Sequence, residues 1–126
     1  MASHRERMRV RWVDTDAGGR IHFTAAFRWA EAAELELYRK LDLLAQVPNL
    51  PRRHVDAEFH RVLVFDDEID VALSVASVGT TSITFEWQIT CDDELAIDGR
   101  HTVVRVDAHG TPRPIDDATR AALTSR

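Results

Sequence analysis

Alternation of apolar and polar side chains predicts β-strands over most of the chain. In residues 6–13, Met8, Val10 and Trp12 alternate with arginines, which is the period of a strand with one buried face. The same period after residue 53 predicts four more strands, at residues 54–65, 69–78, 83–90 and 95–107. The dipeptides Gly79-Thr80 and Asp92-Asp93 interrupt the pattern and predict turns.

Residues 24–44 follow the helical period instead. Their apolar side chains recur at steps of three and four, and most of their charged residues lie off that stripe. This spacing predicts an amphipathic helix of about five to six turns, with Thr24 as its N-cap. A short terminal helix is predicted at residues 115–123, where Asp116 and Asp117 favour the first turn.

The order of these elements is typical of the α+β class, because one strand and one long helix precede a run of four strands. The length of 126 residues predicts one domain, spanning residues 1–126. One substantial helix must cover one face of the sheet, so we expect an antiparallel β-sheet wrapped around one long central α-helix. Such a sheet retains an exposed edge and part of an apolar face, which favour self-association.

Charge and composition narrow the classes of partner. Sixteen basic and 21 acidic residues give a formal charge of −5, which disfavours nucleic-acid binding. The chain has one cysteine, Cys91, and therefore no internal disulfide. The first 11 residues lack the apolar region of a signal peptide, and no apolar run approaches the roughly 20 residues of a membrane span. We expect a cytoplasmic protein that binds neither nucleic acid nor membrane.

Residues 13–29, with the sequence VDTDAGGRIHFTAAFRW, are the segment best suited to chemistry. Two carboxylates, Asp14 and Asp16, precede two glycines, and the predicted helix begins a few residues later. Glycine lets the backbone approach a ligand closely, and a helix N-terminus offers unpaired N–H groups that can stabilise an oxyanion. The same composition also occurs in ordinary turns, so both readings remain open from the residues alone.

This segment resembles the signature of the 4-hydroxybenzoyl-CoA thioesterase family and its relatives, the small bacterial acyl-CoA thioesterases. The signature runs from a strand through Asp-x-Asp-x-x-Gly to a helix that carries a pair such as Arg-Trp, here Arg28-Trp29. Residues 58–67, EFHRVLVFDD, are similar to the family's second strand and its acidic turn. The resemblance implies a hotdog fold, assembled as a homodimer or homotetramer with active sites at the dimer interface.

The resemblance also implies an activity, the hydrolysis of an acyl-CoA or carrier-protein-bound acyl thioester, without a cofactor. Asp16 matches the family's catalytic aspartate, which acts as nucleophile or as general base for water. The backbone N–H near Phe23 matches the group that holds the thioester oxygen, and Gly19 matches the adjoining turn. Relatives commonly carry Tyr or His where Phe23 stands, so a side-chain donor is lost there, and His22 is a candidate to compensate.

Several other residues are secondary candidates. Glu58 is a candidate helper, because a carboxylate from a partner subunit assists in some hotdog enzymes. Asp14 is expected to brace the loop by accepting backbone N–H bonds. Three arginines are candidates for binding the phosphates of coenzyme A, namely Arg52, Arg53 and Arg61.

Two alternative functions remain open. A hotdog enoyl hydratase or dehydratase would use a His with an acid, and His22-Phe23 has a passing similarity to the start of that motif. A non-catalytic hotdog protein would bind acyl-CoA without releasing thiol. The scattered histidines predict no metal site.

Overall fold

The computed structural model, which describes residues 1–125, contains one antiparallel sheet of five strands. The strands are β1 (Ser3–Arg9), β2 (Arg52–Phe59), β3 (Glu68–Val78), β4 (Ser82–Cys91) and β5 (Glu94–Val104). Their order across the sheet is β1-β3-β4-β5-β2. Helix α1 (Ala25–Lys40) precedes β2 in the chain, and α2 (Asp117–Thr124) follows β5. No helix in this part of the chain is long and apolar enough to cross a membrane.

The core lies between α1 and one face of the sheet. Alternate residues of β3 and β4 are buried in register, so that Leu73 pairs with Trp87. Small side chains let α1 pack closely on this face, and its buried alanines are Ala25, Ala26, Ala30 and Ala33. Two edge-on aromatic pairs, each with ring centroids 6.0 Å apart, join the helix to β4: Phe27 with Trp87, and Tyr38 with Phe85.

The indole of Trp87 occupies the space above Gly99, its partner on β5. A Cβ atom added at Gly99 would lie 2.3 Å from Cζ2 of Trp87 and 2.5 Å from the carbonyl oxygen of Asp56. Only glycine therefore fits at this position of β5, which explains a glycine in the interior of a strand.

The prediction of an α+β fold with five strands in this chain order is confirmed, with corrected boundaries. Helix α1 ends at Lys40 rather than near residue 44, because Asp42 adopts a φ of 60° and Leu44–Asn49 form a 3-10 helix. The terminal helix begins at Asp117, after Asp116 caps it by accepting the N–H of Thr119 at 2.7 Å. Asp92 and Asp93 both have positive φ and form the predicted turn between β4 and β5.

Three predicted strands extend too far along the chain. The last of them, β5, ends at Val104 rather than at residue 107. β1 ends at Arg9, and Trp12–Asp14 form a 3-10 helix that leaves the side chain of Trp12 74% exposed. The expectation that Trp12 continues the strand is therefore wrong. Residues 60–65 leave the sheet after β2, and Val64 makes only an isolated bridge with Arg20.

Candidate active site

The loop between β1 and α1 is a tight reversal that presents Asp16. The N–H of Asp16 donates to the carbonyl of Arg20 at 2.8 Å, and the N–H of Gly19 donates to the carbonyl of Asp16 at 3.1 Å. Gly19 has a φ of 81°, in the left-handed region that glycine adopts without strain. The Oδ1 of Asp16 accepts the N–H of Gly18 at 2.8 Å. Its Oδ2 has no hydrogen-bond partner within residues 1–125, so the exposed carboxylate keeps one oxygen for a ligand.

Asp14 is fully buried and braces this loop from within, as predicted. Its carboxylate accepts the backbone N–H of Arg11 at 2.8 Å and lies 3.3 Å from the Arg11 guanidinium and 3.5 Å from that of Arg28. Burial alone would raise the pKa of Asp14, but these donors and positive charges outweigh it, so that the pKa lies below its ordinary value. Asp14 is therefore an ionised structural group, and it leaves Asp16 as the accessible acid.

The turn before α1 is organised around His22. The hydroxyl of Thr24 lies 2.7 Å from Nδ1 of His22, and the N–H of Thr24 donates to the same nitrogen at 3.3 Å. With Nδ1 engaged in this way, Nε2 of His22 is the nitrogen left for other contacts. Thr24 is the N-cap of α1, as predicted, but its side chain makes no capping hydrogen bond. Its backbone is already helical, with φ −69° and ψ −17°, and its hydroxyl serves His22 and Arg28 instead.

Phe23 follows His22 and is 61% exposed. Its ring stacks on that of His22 with centroids 4.7 Å apart. The backbone N–H of Phe23 donates to no acceptor among the described residues, whereas the N–H of His22 donates to the carbonyl of Asp14 at 2.8 Å. An unpartnered N–H therefore stands just before α1, where an oxyanion donor was expected.

A cavity of about 440 Å³ joins these groups and has the size of a small-molecule site. The loop before α1 forms one wall, and the segment that follows β2 forms the other. The lining residues are Asp16, Arg20, Ile21, His22, Phe23, Phe59, His60, Arg61, Val62 and Leu63. We call it the Asp16 cavity.

Of the predicted site residues, Asp16, His22 and Phe23 line the Asp16 cavity, and Gly19 shapes the turn beside it. Glu58 does not line it. Glu58 pairs with Asp98 across β2 and β5, and both border a larger groove of about 810 Å³ lined mainly by polar residues. Within one protomer, the structure therefore separates Glu58 from Asp16.

Two of the three arginines considered for phosphate binding are already paired with carboxylates. The Arg52 guanidinium lies 2.7 Å from Glu34, and that of Arg61 lies 3.3 Å from both Asp92 and Glu94. Arg20, which the sequence analysis passed over, lines the Asp16 cavity and has no ion pair within residues 1–125. The signal available in the sequence was that Arg20 lies in the same short loop as Asp16.

A second polar cluster is buried beneath α1. The carboxylate of Glu34 accepts hydrogen bonds from the Tyr38 hydroxyl at 2.5 Å and from Nε2 of His101 at 2.9 Å, in addition to its ion pair with Arg52. Burial acts to raise the pKa of Glu34, but the bonds and charges of His101 and Arg52 hold it below its ordinary value. This cluster ties α1 to β5 and to the start of β2.

In the part of the chain that the structure describes, no group of three or more His, Cys, Asp or Glu residues is placed to hold a metal ion. Around an apolar wall, the Asp16 cavity brings together a carboxylate, two histidines, and the N–H of Phe23 and the guanidinium of Arg20, which have no partner within residues 1–125.

Comparison with known proteins identifies the family of this chain. Residues 10–123 match the family model described as the thioesterase-like superfamily. A 1,4-dihydroxy-2-naphthoyl-CoA hydrolase of Prochlorococcus marinus (strain MIT 9303) is 29% identical over 110 residues, which cover 76% of this chain and 70% of that protein.

Solved structures share the fold. A Thermus thermophilus thioesterase complexed with coenzyme A and Zn superposes with a TM-score of 0.86 at 23% identity, over 95% of this chain and 91% of that one. A 1,4-dihydroxy-2-naphthoyl-CoA thioesterase from Synechocystis gives a TM-score of 0.87 at 16% identity, over 96% and 95% of the two chains. The resemblance noted in the sequence is thus confirmed, and this chain belongs to the thioesterase-like superfamily.

Proposed function

We propose that this protein hydrolyses an acyl-CoA thioester to a free acid and a thiol in the Asp16 cavity. One observation carries the proposal: Asp16 and Phe23 line the same cavity, and within residues 1–125 one carboxylate oxygen of Asp16 and the N–H of Phe23 have no hydrogen-bond partner. A carboxylate that attacks or activates water, beside a donor for an oxyanion, is the minimum that thioester hydrolysis requires. Membership of the superfamily supports this reading.

In the proposed mechanism, the N–H of Phe23 binds the thioester oxygen while Asp16 attacks the carbonyl or activates a water that does. Collapse of the resulting intermediate breaks the C–S bond and releases the thiol. The loop and α1 are joined through Asp14 and Arg28, so the acid and the N–H donor keep a fixed relation during the reaction. His22 offers Nε2 in place of the side-chain donor that Phe23 lacks, and Gly19 permits the turn.

We also propose that the protein acts as a homodimer that pairs through β2, with a homotetramer as the alternative. β2 bonds to β5 on one side only, so its other edge is open. Exposed apolar side chains concentrate on β2, on the segment after it and on the loop before α1: Trp12, Val13, Phe23, Val55, Phe59, Val62, Val64 and Phe65. Glu58 can assist Asp16 only across such an interface. We therefore keep Glu58 of one copy as a candidate helper for Asp16 of the other copy.

A hotdog arrangement, in which the sheet wraps around α1, would form one domain over residues 1–126. An acyl-CoA or carrier-protein-bound substrate fits a cytoplasmic location. The aromatic rings of Phe23 and Phe59 on the cavity wall favour an aromatic acyl group among the possible substrates.

The test is thiol release from a panel of acyl-CoAs by the wild type, Asp16→Asn and the control Asp42→Asn. The panel runs from acetyl to palmitoyl and includes benzoyl, phenylacetyl, 1,4-dihydroxy-2-naphthoyl and an enoyl thioester. Asp42 is an exposed acid with positive φ, a conformation that Asn also tolerates.

We expect wild-type hydrolysis that falls about 100-fold or more in Asp16→Asn and less than about twofold in Asp42→Asn. Hydration of the enoyl-CoA without thiol release would favour a hydratase. Binding of acyl-CoA without turnover would favour a non-catalytic protein.

A further inference from the structure

The wall of the Asp16 cavity opposite the loop carries a histidine paired with an acid. Nε2 of His60 lies 2.9 Å from Oδ1 of Asp98, and His60 lines the cavity. Nδ1 of His60 has no hydrogen-bond partner within residues 1–125. The His60 side chain is 46% exposed, so a ligand in the cavity can reach the ring.

Backbone contacts fix the place of this histidine. β2 ends at Phe59, and the N–H groups of His60 and Arg61 both donate to the carbonyl of Ala96, at 2.7 and 3.1 Å. This shared acceptor turns the chain out of the strand at His60. His60 is therefore held at two points: its backbone N–H bonds to Ala96, and its ring bonds to Asp98.

Three other histidines have a carboxylate partner at similar distance, but none of them lines the Asp16 cavity. One is the buried His101, 2.9 Å from Glu34. His4 lies 2.7 Å from Glu6 on β1, and His54 lies 2.8 Å from Asp56 on β2. The pairing alone is thus common on this surface. What distinguishes His60 is that it lines the same cavity as Asp16 and Phe23, while its partner Asp98 borders the larger groove.

We propose that His60 is a second catalytic residue of the Asp16 cavity, the general acid that protonates the leaving sulfur, with Asp98 as its positioning residue. This inference rests on the proposed thioester hydrolysis. Asp98 holds Nε2, which leaves Nδ1 as the nitrogen available to a ligand. The other charged or titratable groups on the cavity are Asp16, Arg20, His22 and Arg61.

The proton and electron pairs balance in this scheme. Asp16 takes a proton from water as the water oxygen bonds to the carbonyl carbon. On collapse, the C–S bond breaks and its electron pair passes to sulfur, which takes the proton from Nδ1 of the His60 imidazolium. The proton on Asp16 then returns to His60 through solvent. The net change is thioester plus water to acid plus thiol, with the enzyme unchanged.

The dependence of rate on the leaving group tests this role. The acyl group is the one whose CoA thioester the wild type hydrolyses fastest. Three thioesters of that acyl group serve as probes: those with CoA, with N-acetylcysteamine and with thiophenol (the S-phenyl ester). An alkyl thiolate is more basic than an aryl thiolate and benefits more from a proton. We expect His60→Gln to lower kcat on the two alkyl thioesters by about 10- to 100-fold with KM within twofold, and the S-phenyl ester by less than about threefold.

Asp98→Asn and His54→Gln complete the set. Asp98→Asn should give a smaller loss than His60→Gln with the same dependence on the leaving group, about three- to tenfold on alkyl thioesters. His54→Gln is the matched control, because it removes a paired histidine from β2, the strand that precedes His60, without touching the cavity, and it should change kcat less than twofold. Thermal unfolding of every variant shows whether a lost rate reflects lost folding.

The outcomes separate this inference from the function on which it rests. If Asp16→Asn loses activity while His60→Gln keeps it, or if His60→Gln slows alkyl and aryl thioesters equally, His60 is not the general acid. If the wild type hydrolyses none of the thioesters, both the proposed function and this inference are wrong.

Discussion

The guanidinium of Arg28 lies 3.5 Å from the buried carboxylate of Asp14, and this contact joins helix α1 to the loop that carries Asp16. Arg28 also donates to the hydroxyl of Thr24 at 2.9 Å, inside the turn that holds His22. One side chain on the helix thus contacts both parts of the candidate site. The Arg-Trp pair of the sequence signature has a structural meaning here, since Arg28 aligns the loop and Trp29 is buried in the core.

We therefore predict that Arg28→Gln disturbs the site more than the fold. Asp14 keeps Arg11 as a partner, and Arg28 is about half exposed, so the free energy of unfolding should fall by only about 1 kcal/mol. A displaced loop moves Asp16 relative to the N–H of Phe23, and kcat should fall by about tenfold or more. Steady-state kinetics and urea unfolding measure the two effects.

Arg39→Gln is the control for this prediction, because Arg39 forms an exposed ion pair with Glu36 on the same helix. It should leave both kcat and stability within experimental error. Equal losses of activity in the two variants would show that Arg28 has no special relation to the site.

We predict that the free energy of unfolding depends on pH through the buried Glu34. The charges and hydrogen bonds of His101 and Arg52 outweigh burial and hold the pKa of Glu34 below its ordinary value. Burial and the neighbouring Glu34 raise the pKa of Tyr38, so its hydroxyl stays a donor. Because the folded-state pKa of Glu34 is depressed, its contribution is complete above about pH 4.5, its ordinary pKa, and is lost as pH falls toward the folded value.

Glu34→Gln tests this linkage. At pH 7 we expect the free energy of unfolding to fall by about 3 kcal/mol, since the variant leaves buried partners of the carboxylate unpaired. The difference from wild type should shrink as pH is lowered from 5 to 3, when measured by urea unfolding. Glu36→Gln, on the more exposed side of α1, should show neither effect. A difference that is constant with pH would contradict the ionised state of Glu34.

The contact between Gly99 and Trp87 predicts a strict limit on side-chain size in β5. Gly99→Ala would place a methyl group 2.3 Å from the indole and 2.5 Å from the carbonyl oxygen of Asp56, and the rigid ring cannot yield without moving Phe27. We expect a loss of about 2–3 kcal/mol in the free energy of unfolding, with a changed near-UV signal from Trp87. Unaltered stability and spectrum would show that the core adapts at this point.

The sequence allowed the elements of this fold to be predicted well, and their ends less well. Alternation in residues 83–90 reports a real property of β4, whose apolar side chains are buried along its length. The same alternation misled at Trp12, because the backbone N–H of Arg11 bonds to Asp14 and starts a 3-10 turn there. A periodic pattern cannot register such a local hydrogen bond.

The residues of the candidate site were likewise predictable from the sequence only in part. Asp16, Gly19 and Phe23 lie close in sequence, so a local motif was enough to group them. His60 joins the site only because the carbonyl of Ala96 ends β2 at Phe59. Ala96 lies on β5, which neighbours β2 in the sheet but is distant from it in sequence. Glu58, the candidate helper of the sequence analysis, remains in the strand and borders the other groove. Long-range contacts of this kind are invisible to motif reasoning on one sequence.

The open edge of β2 yields the last prediction, on assembly. Val55 lies on this strand, is 46% exposed and does not line the Asp16 cavity, so Val55→Glu should weaken pairing of two copies without touching the site. Light scattering after size exclusion should give twice the chain mass for the wild type and a mixture with monomer for the variant.

The control for assembly is Leu44→Glu, because Leu44 is also exposed but lies in the 3-10 helix after α1. It should stay dimeric. If the active site needs both copies, the specific activity of Val55→Glu should fall on dilution, while that of the control stays constant. A wild type that is monomeric and active would show that the apolar side chains around β2 serve the substrate rather than a second copy of the chain.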